Sequence, residues 1–116
     1  MSHGYGPPRP HVPEVDVDAL EQARAGGAPL IDVREPDEYE AGHVPGARLI
    51  PLGQVVQRGG EAPRGERVYV ICGSGGRSAR ATQWYRSQGV DAVNVDGGTA
   101  AWAQAGKPLV EGPEPG

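Results

Sequence analysis

The chain alternates short apolar runs with stretches in which apolar residues recur at helical spacing. Leu30-Ile31-Asp32-Val33, Ala47-Arg48-Leu49-Ile50, Val68-Tyr69-Val70-Ile71 and Ala92-Val93-Asn94-Val95 read as strands, with a further short one around Val15-Asp16-Val17. The run over 68–71 is the most apolar. It does not alternate, as expected of a strand buried on both faces of a parallel sheet. Helical patterns lie between these runs. Asp18 is a candidate N-cap, with Glu21 completing a capping box, and Gly26-Gly27 stops that helix near Ala25. Pro36 suits a first helical position, and Asp37 and Glu38 in the first turn complement the helix dipole until Gly42 ends it. Another helix carries Ala81, Trp84 and Tyr85 at helical spacing and stops at Gly89. Thr99 is the expected cap of a last helix through Trp102 and Ala105, stopped by Gly106 and Pro108. Residues 52–58 are expected to hold a helical turn, and residues 59–65 a loop.

Strands alternating with helices predict an α/β sandwich with a mostly parallel sheet. In such sheets ligands gather beyond the carboxyl ends of the strands. Cys72 follows the 68–71 strand directly, and Asp32-Val33-Arg34 closes another strand. Both segments therefore fall where a site is expected.

At 116 residues the chain is expected to form one domain. The 19 glycines and 12 prolines concentrate in the two ends and between periodic segments. Residues 1–12 and 111–116 accordingly read as flexible tails around a domain over 13–110. A net charge of -4, with no arginine-rich block, argues against a nucleic-acid partner. No apolar run approaches the length of a membrane span, and the first eight residues lack the charged-then-apolar pattern of a leader. A single cysteine excludes an internal disulfide, so a reducing cytoplasm, where a free thiol persists, is the expected compartment. His3 and His11 are too dispersed to read as a metal site.

That cysteine opens Cys72-Gly73-Ser74-Gly75-Gly76-Arg77-Ser78, a glycine-rich turn leading into a helix. A free cysteine has a pKa of about 8.5, so only ~3% is thiolate at pH 7. A helix N-terminus contributes up to ~2 kcal/mol toward ionisation in good geometry, and backbone N–H groups curled around the sulfur add to it. Gly73, Gly75 and Gly76 permit the tight bend, Ser74 and Ser78 supply hydroxyl donors, and Arg77 offers a fixed fork for an oxyanion or a brace against a carboxylate such as Asp32 or Glu35. The lysine of a phosphate-binding P-loop is absent, and Ser78 stands where a dinucleotide fingerprint needs its third glycine. Cysteine phosphatase loops place one residue more between cysteine and arginine. The four residues here describe a smaller cup, suited to a sulfur atom rather than a phosphoryl group.

Three stretches together resemble the rhodanese family of sulfurtransferases. They are Leu30 to Tyr39 with Gly42-His43-Val44-Pro45-Gly46-Ala47, the Cys72–Ser78 loop, and Val95-Asp96-Gly97-Gly98 with Ala101-Trp102. The resemblance implies a three-layer sandwich around a five-stranded sheet. It implies ping-pong transfer of sulfane sulfur from thiosulfate or a persulfide through a Cys72 persulfide held by residues 73–78. The acceptor would be cyanide or a thiol, and no metal or organic cofactor is implied. Asp32 reads as an orienting group, and Arg34 and Arg77 as the positive groups near the mouth. Many members carry a charged or bulky residue after the cysteine where this chain has Gly73, which puts thiosulfate as preferred donor in question. The alternatives are a carrier module in a protein sulfur relay, a cysteine phosphatase or arsenate reductase, and a binding-only regulatory domain.

Overall fold

The computed structural model describes residues 10–116. Five strands form one sheet: β1 (Glu14–Val15), β2 (Leu30–Asp32), β3 (Arg48–Leu49), β4 (Val68–Ile71) and β5 (Ala92–Val95). Their spatial order is β1-β5-β4-β2-β3, and every pairing is parallel. The expectation of a mostly parallel sheet thus becomes one of an entirely parallel sheet. β4 lies between β5 and β2, and Asp32 pairs in register with Ile71. The ends of β2 and β4 therefore open side by side, and Cys72 leaves the sheet at its middle.

Helices α1 (Val17–Ala25), α2 (Pro36–Ala41), α3 (Gly76–Ser87) and α4 (Gly98–Gln104) cover the sheet. Alternation along the strands decides which face each side chain serves. Ile31, Val68, Val70 and Ala92 pack with Ala81 and Tyr85 of α3 on one face. Leu30, Tyr69, Ile71, Val93 and Val95 pack with Leu20 of α1, Tyr39 of α2 and Trp102 of α4 on the other. The molecule is thus a three-layer sandwich in which, among the described residues, α3 is the α-helix on one side, joined there by Leu52, Val55 and Ala62. All four residues of β4 are buried, which is why the sequence shows no alternation there.

Several local expectations are corrected. Asp16, not Asp18, caps α1 and accepts from the Ala19 N–H at 2.9 Å. Val17 is thereby turned into the core, while Asp18 and Glu21 face outward and meet Lys107 Nζ at 2.9 and 2.6 Å. Gly97 rather than Thr99 is the N-cap of α4, and Thr99 lies inside the helix. The expected helical turn over 52–58 is a 3₁₀ turn at Leu52–Gln54. A second 3₁₀ turn, Gly59–Glu61, occupies the expected loop, where Glu61 takes up Arg58 and Arg48.

The last six residues, expected as a loose tail, are held by the backbone. Gly112 N–H donates to Glu40 O and Gly46 N–H to Pro115 O, each at 2.8 Å. The buried His43 ring stacks on Tyr39 at 3.6 Å and turns Nδ1 to Tyr39 O and Nε2 to Glu114 O. His43 thereby ties the chain end to α2. The expected N-terminal tail and His3 fall largely or wholly outside the described residues. Among the described residues no helix is long and apolar enough to cross a membrane.

Candidate active site

β4 delivers Cys72 to the carboxyl edge of the sheet, and the chain turns at once into α3. The turn needs a left-handed residue, and Gly75 (φ 110°) provides it as the N-cap of α3. This conformation aims the Gly75 N–H back at the cysteine, with 3.1 Å between N and Sγ. Ser78, in the first turn of α3, donates its hydroxyl to the same sulfur at 3.3 Å. Cys72 is only 1% exposed, so the sulfur lies at the bottom of a pocket of donors rather than on the surface.

Electrostatics follow from that placement. Burial by itself would push the Cys72 thiol up. The Ser78 hydroxyl, then the backbone N–H groups of Ser78, Gly75 and Ser74, outweigh it and hold the thiol below its ordinary value. The loop thus favours a thiolate through neutral donors and helix-terminal dipoles.

The cup is braced from behind by two elements that the sequence did not bring to it. The N-terminus of α4 abuts the loop, where Thr99 N–H donates to Cys72 O at 2.8 Å and Ala100 N–H to Gly73 O at 3.0 Å. This approach requires Gly98. A Cβ there would stand 2.5 Å from Cys72 O and 2.6 Å from Gly73 O. On β5, the buried Asn94 donates its side-chain amide to Gly75 O at 3.2 Å and to Glu14 Oε2 at 2.9 Å. The signals were present as Asp96-Gly97-Gly98 and as a polar residue inside an apolar strand. Neither identifies its partner without the strand order.

The two arginines expected near the mouth have distinct placements. Arg34 turns back on its own strand. Its Nε and Nη2 grip Asp32 at 2.9 to 3.2 Å, and Nη2 also reaches Gly42 O at 2.9 Å. This pair is buried, with side chains 8% and 0% exposed. Asp32 therefore orients Arg34, and the pair lies beside the Cys72 loop rather than in it. Arg77 does reach the loop, and its carboxylate partner is Glu38 of α2, not Asp32 or Glu35. Nη1 and Nη2 engage Oε1 and Oε2 at 2.7 and 2.9 Å. A Cβ on Gly73 would stand 3.2 Å from Arg77 Nη2, so the guanidinium covers the residue after the cysteine. Of the predicted site residues, Ser74, Gly75 and Ser78 surround the sulfur through their donors, while Gly73, Gly76 and Arg77 form the bend and its rim. Among the described residues no group of three His, Cys, Asp or Glu is placed to hold a metal ion.

Comparison with known proteins places this geometry in a family. The family description "Rhodanese-like domain" matches residues 16–105. The chain is 47% identical over 85 residues to "Uncharacterized protein YqhL" of Bacillus subtilis, covering 71% of this chain and 68% of that protein. It is 39% identical over 94 residues to "Putative sulfur carrier protein YrkF" of the same organism, covering 78% of this chain and 51% of that one. The chain thus spans about half the length of that relative. It is 36% identical over 102 residues to "Sulfurtransferase" of Allochromatium vinosum, covering 85% of this chain and 95% of that protein. Among solved structures, a rhodanese-related protein from Thermoplasma volcanium superposes with a TM-score of 0.80 at 28% identity, covering 84% of this chain and 97% of that one.

Proposed function

This chain belongs to the rhodanese-like domain family, and from that premise we propose that it is a sulfurtransferase carrying sulfane sulfur on Cys72. The observation that carries the reading is the convergence of the Gly75 N–H and the Ser78 hydroxyl on a single buried sulfur, with its thiol held below the ordinary value. The Cys72 thiolate attacks the outer sulfur of a small donor such as thiosulfate or a persulfide. A sulfur–sulfur bond to Cys72 forms, the donor's own bond to that sulfur breaks, and the leaving group (sulfite, from thiosulfate) takes the electron pair. The outer sulfur of the resulting persulfide then carries the negative charge. Loop donors hold that anion as helix-terminal N–H groups hold other anions. A small thiophilic acceptor, cyanide or a thiol, attacks the outer sulfur and returns the Cys72 thiolate. The steps as written draw on no metal or organic cofactor.

Incubation with thiosulfate and cyanide is expected to yield thiocyanate, and Cys72→Ser to abolish it. Unchanged thiocyanate formation in that variant overturns the reading. A second reading, a carrier in a protein sulfur relay, is favoured by the relative named as a carrier. Under it, a cysteine desulfurase loads Cys72 readily while turnover on thiosulfate stays poor.

A further inference from the structure

The residue after the cysteine is glycine, so any side-chain charge for an anionic donor must come from the rim. The arginine on that rim is already engaged. Glu38 binds Arg77 with both carboxylate oxygens, at 2.7 and 2.9 Å, the paired geometry in which guanidinium and carboxylate hold each other best. Glu38 is itself fixed, because Oε1 also accepts the Glu35 N–H at 2.9 Å in the capping box of α2. The other expected arginine, Arg34, is buried against Asp32. The Arg77–Glu38 pair is more than a third exposed, so an anion arriving from solvent meets it directly.

We propose that Glu38 is a specificity-determining positioning residue, which holds Arg77 across Gly73 and thereby selects sulfur donors of low negative charge over dianionic ones. The inference rests on the sulfur-transfer reading of Cys72. Thiosulfate brings two negative charges. It must either displace a bidentate carboxylate from Arg77 or enter beside that carboxylate's own charge. An organic thiosulfonate presents the same sulfane–sulfonyl bond with one charge fewer. In both cases the Cys72 thiolate takes the sulfane sulfur, and the bond to the sulfonyl sulfur breaks. The electron pair leaves as sulfite from thiosulfate and as a sulfinate from the thiosulfonate. Atoms and charge balance either way, so the two donors differ chiefly in charge. The carboxylate of Glu38 is held down to about 2 by Arg77 first and by the Glu35 N–H next, so it stays ionised throughout the working range of a thiol enzyme.

The test uses Glu38→Gln, which removes the charge while keeping an oxygen for the Glu35 N–H, since glutamine serves in a capping box. The expected result is a KM for thiosulfate about ten-fold lower than in the parent, from one unit of local charge at the rim. The gain should shrink as salt is added, and the KM for a thiosulfonate should change by less than about three-fold. Adding Arg77→Ala to Glu38→Gln should erase the gain. An equal change for both donors, a thiosulfate KM that does not fall, or a gain that survives loss of Arg77 overturns the inference. Failure of both donors to place sulfur on Cys72, in the parent and the variant alike, overturns the sulfur-transfer reading as well. Loading of Cys72 without discrimination by charge overturns only the role of Glu38.

Discussion

Two arginine–carboxylate pairs flank the Cys72 loop, and they differ in nearly everything but chemistry. Arg34 and Asp32 lie two residues apart at the end of β2, sealed from water at 8% and 0% exposure. Arg77 and Glu38 are joined across the mouth from α3 and α2, and are 39% and 36% exposed. A sealed pair must be complete, because removing one member leaves a charge without solvent or partner. An exposed pair is screened and contributes little to stability, but it is open to exchange with an arriving ion. The same two side-chain types thus make a strut on one side of the thiolate and a selector on the other.

Breaking the strut should cost the most. Arg34→Ala leaves the Asp32 carboxylate buried and is expected to cost roughly 3–5 kcal/mol of stability in urea unfolding. Asp32→Asn, which leaves the buried Arg34 guanidinium without its carboxylate, should cost a similar amount. Small costs for both would dissolve the contrast between the two pairs.

A middle-sized effect concerns what stabilises the thiolate itself. The donors that lower the Cys72 thiol are the Ser78 hydroxyl and the loop N–H groups. Ser78→Ala is therefore expected to raise the pH midpoint of iodoacetamide alkylation at Cys72 by about one unit, the equivalent of one hydrogen bond to a charged group. Arg77→Ala should move it less. The reverse ranking would make Arg77 a thiolate stabiliser rather than a rim residue.

The smallest effect is on stability at the exposed pair. Glu38 has a folded value of about 2 against an ordinary 4.5. Its contribution is therefore fully present above pH 4.5 and is lost as pH falls toward 2. Exposure screens it to at most about 1 kcal/mol. Glu38→Gln should flatten the acid limb of the stability curve over that window and leave stability near neutral pH within about 1 kcal/mol. A loss of several kcal/mol near neutral pH would make Glu38 a strut like Asp32.

The strands and the loop are legible in the sequence because their signals are local. An unalternating run such as 68–71 has to be buried on both faces, and a glycine-rich turn between strand and helix has few other uses. The pairings are not legible, because they depend on which strands become neighbours. Glu38 reads as an acid complementing a helix dipole until β2 and β4 are known to lie side by side. Asn94 reads as an oddity in an apolar strand until β5 is placed against β4 and the Gly75 carbonyl. The α1 cap reads as Asp18 in the sequence, and it moves to Asp16 because Val17 is buried as the first residue of the helix. The glycine- and proline-rich end looked loose because its anchors are backbone groups meeting Glu40, His43 and Gly46, which leave no mark on side-chain pattern.

In the reading proposed above, Cys72 accepts and holds a sulfur atom, and intact mass of the protein after exposure to a thiosulfonate or to thiosulfate, before and after cyanide, puts that to the test. The expected result is a gain of one sulfur atom that cyanide removes and that Cys72→Ser never acquires. The same gain in Cys72→Ser, or no gain in the parent with any sulfane donor, would contradict it.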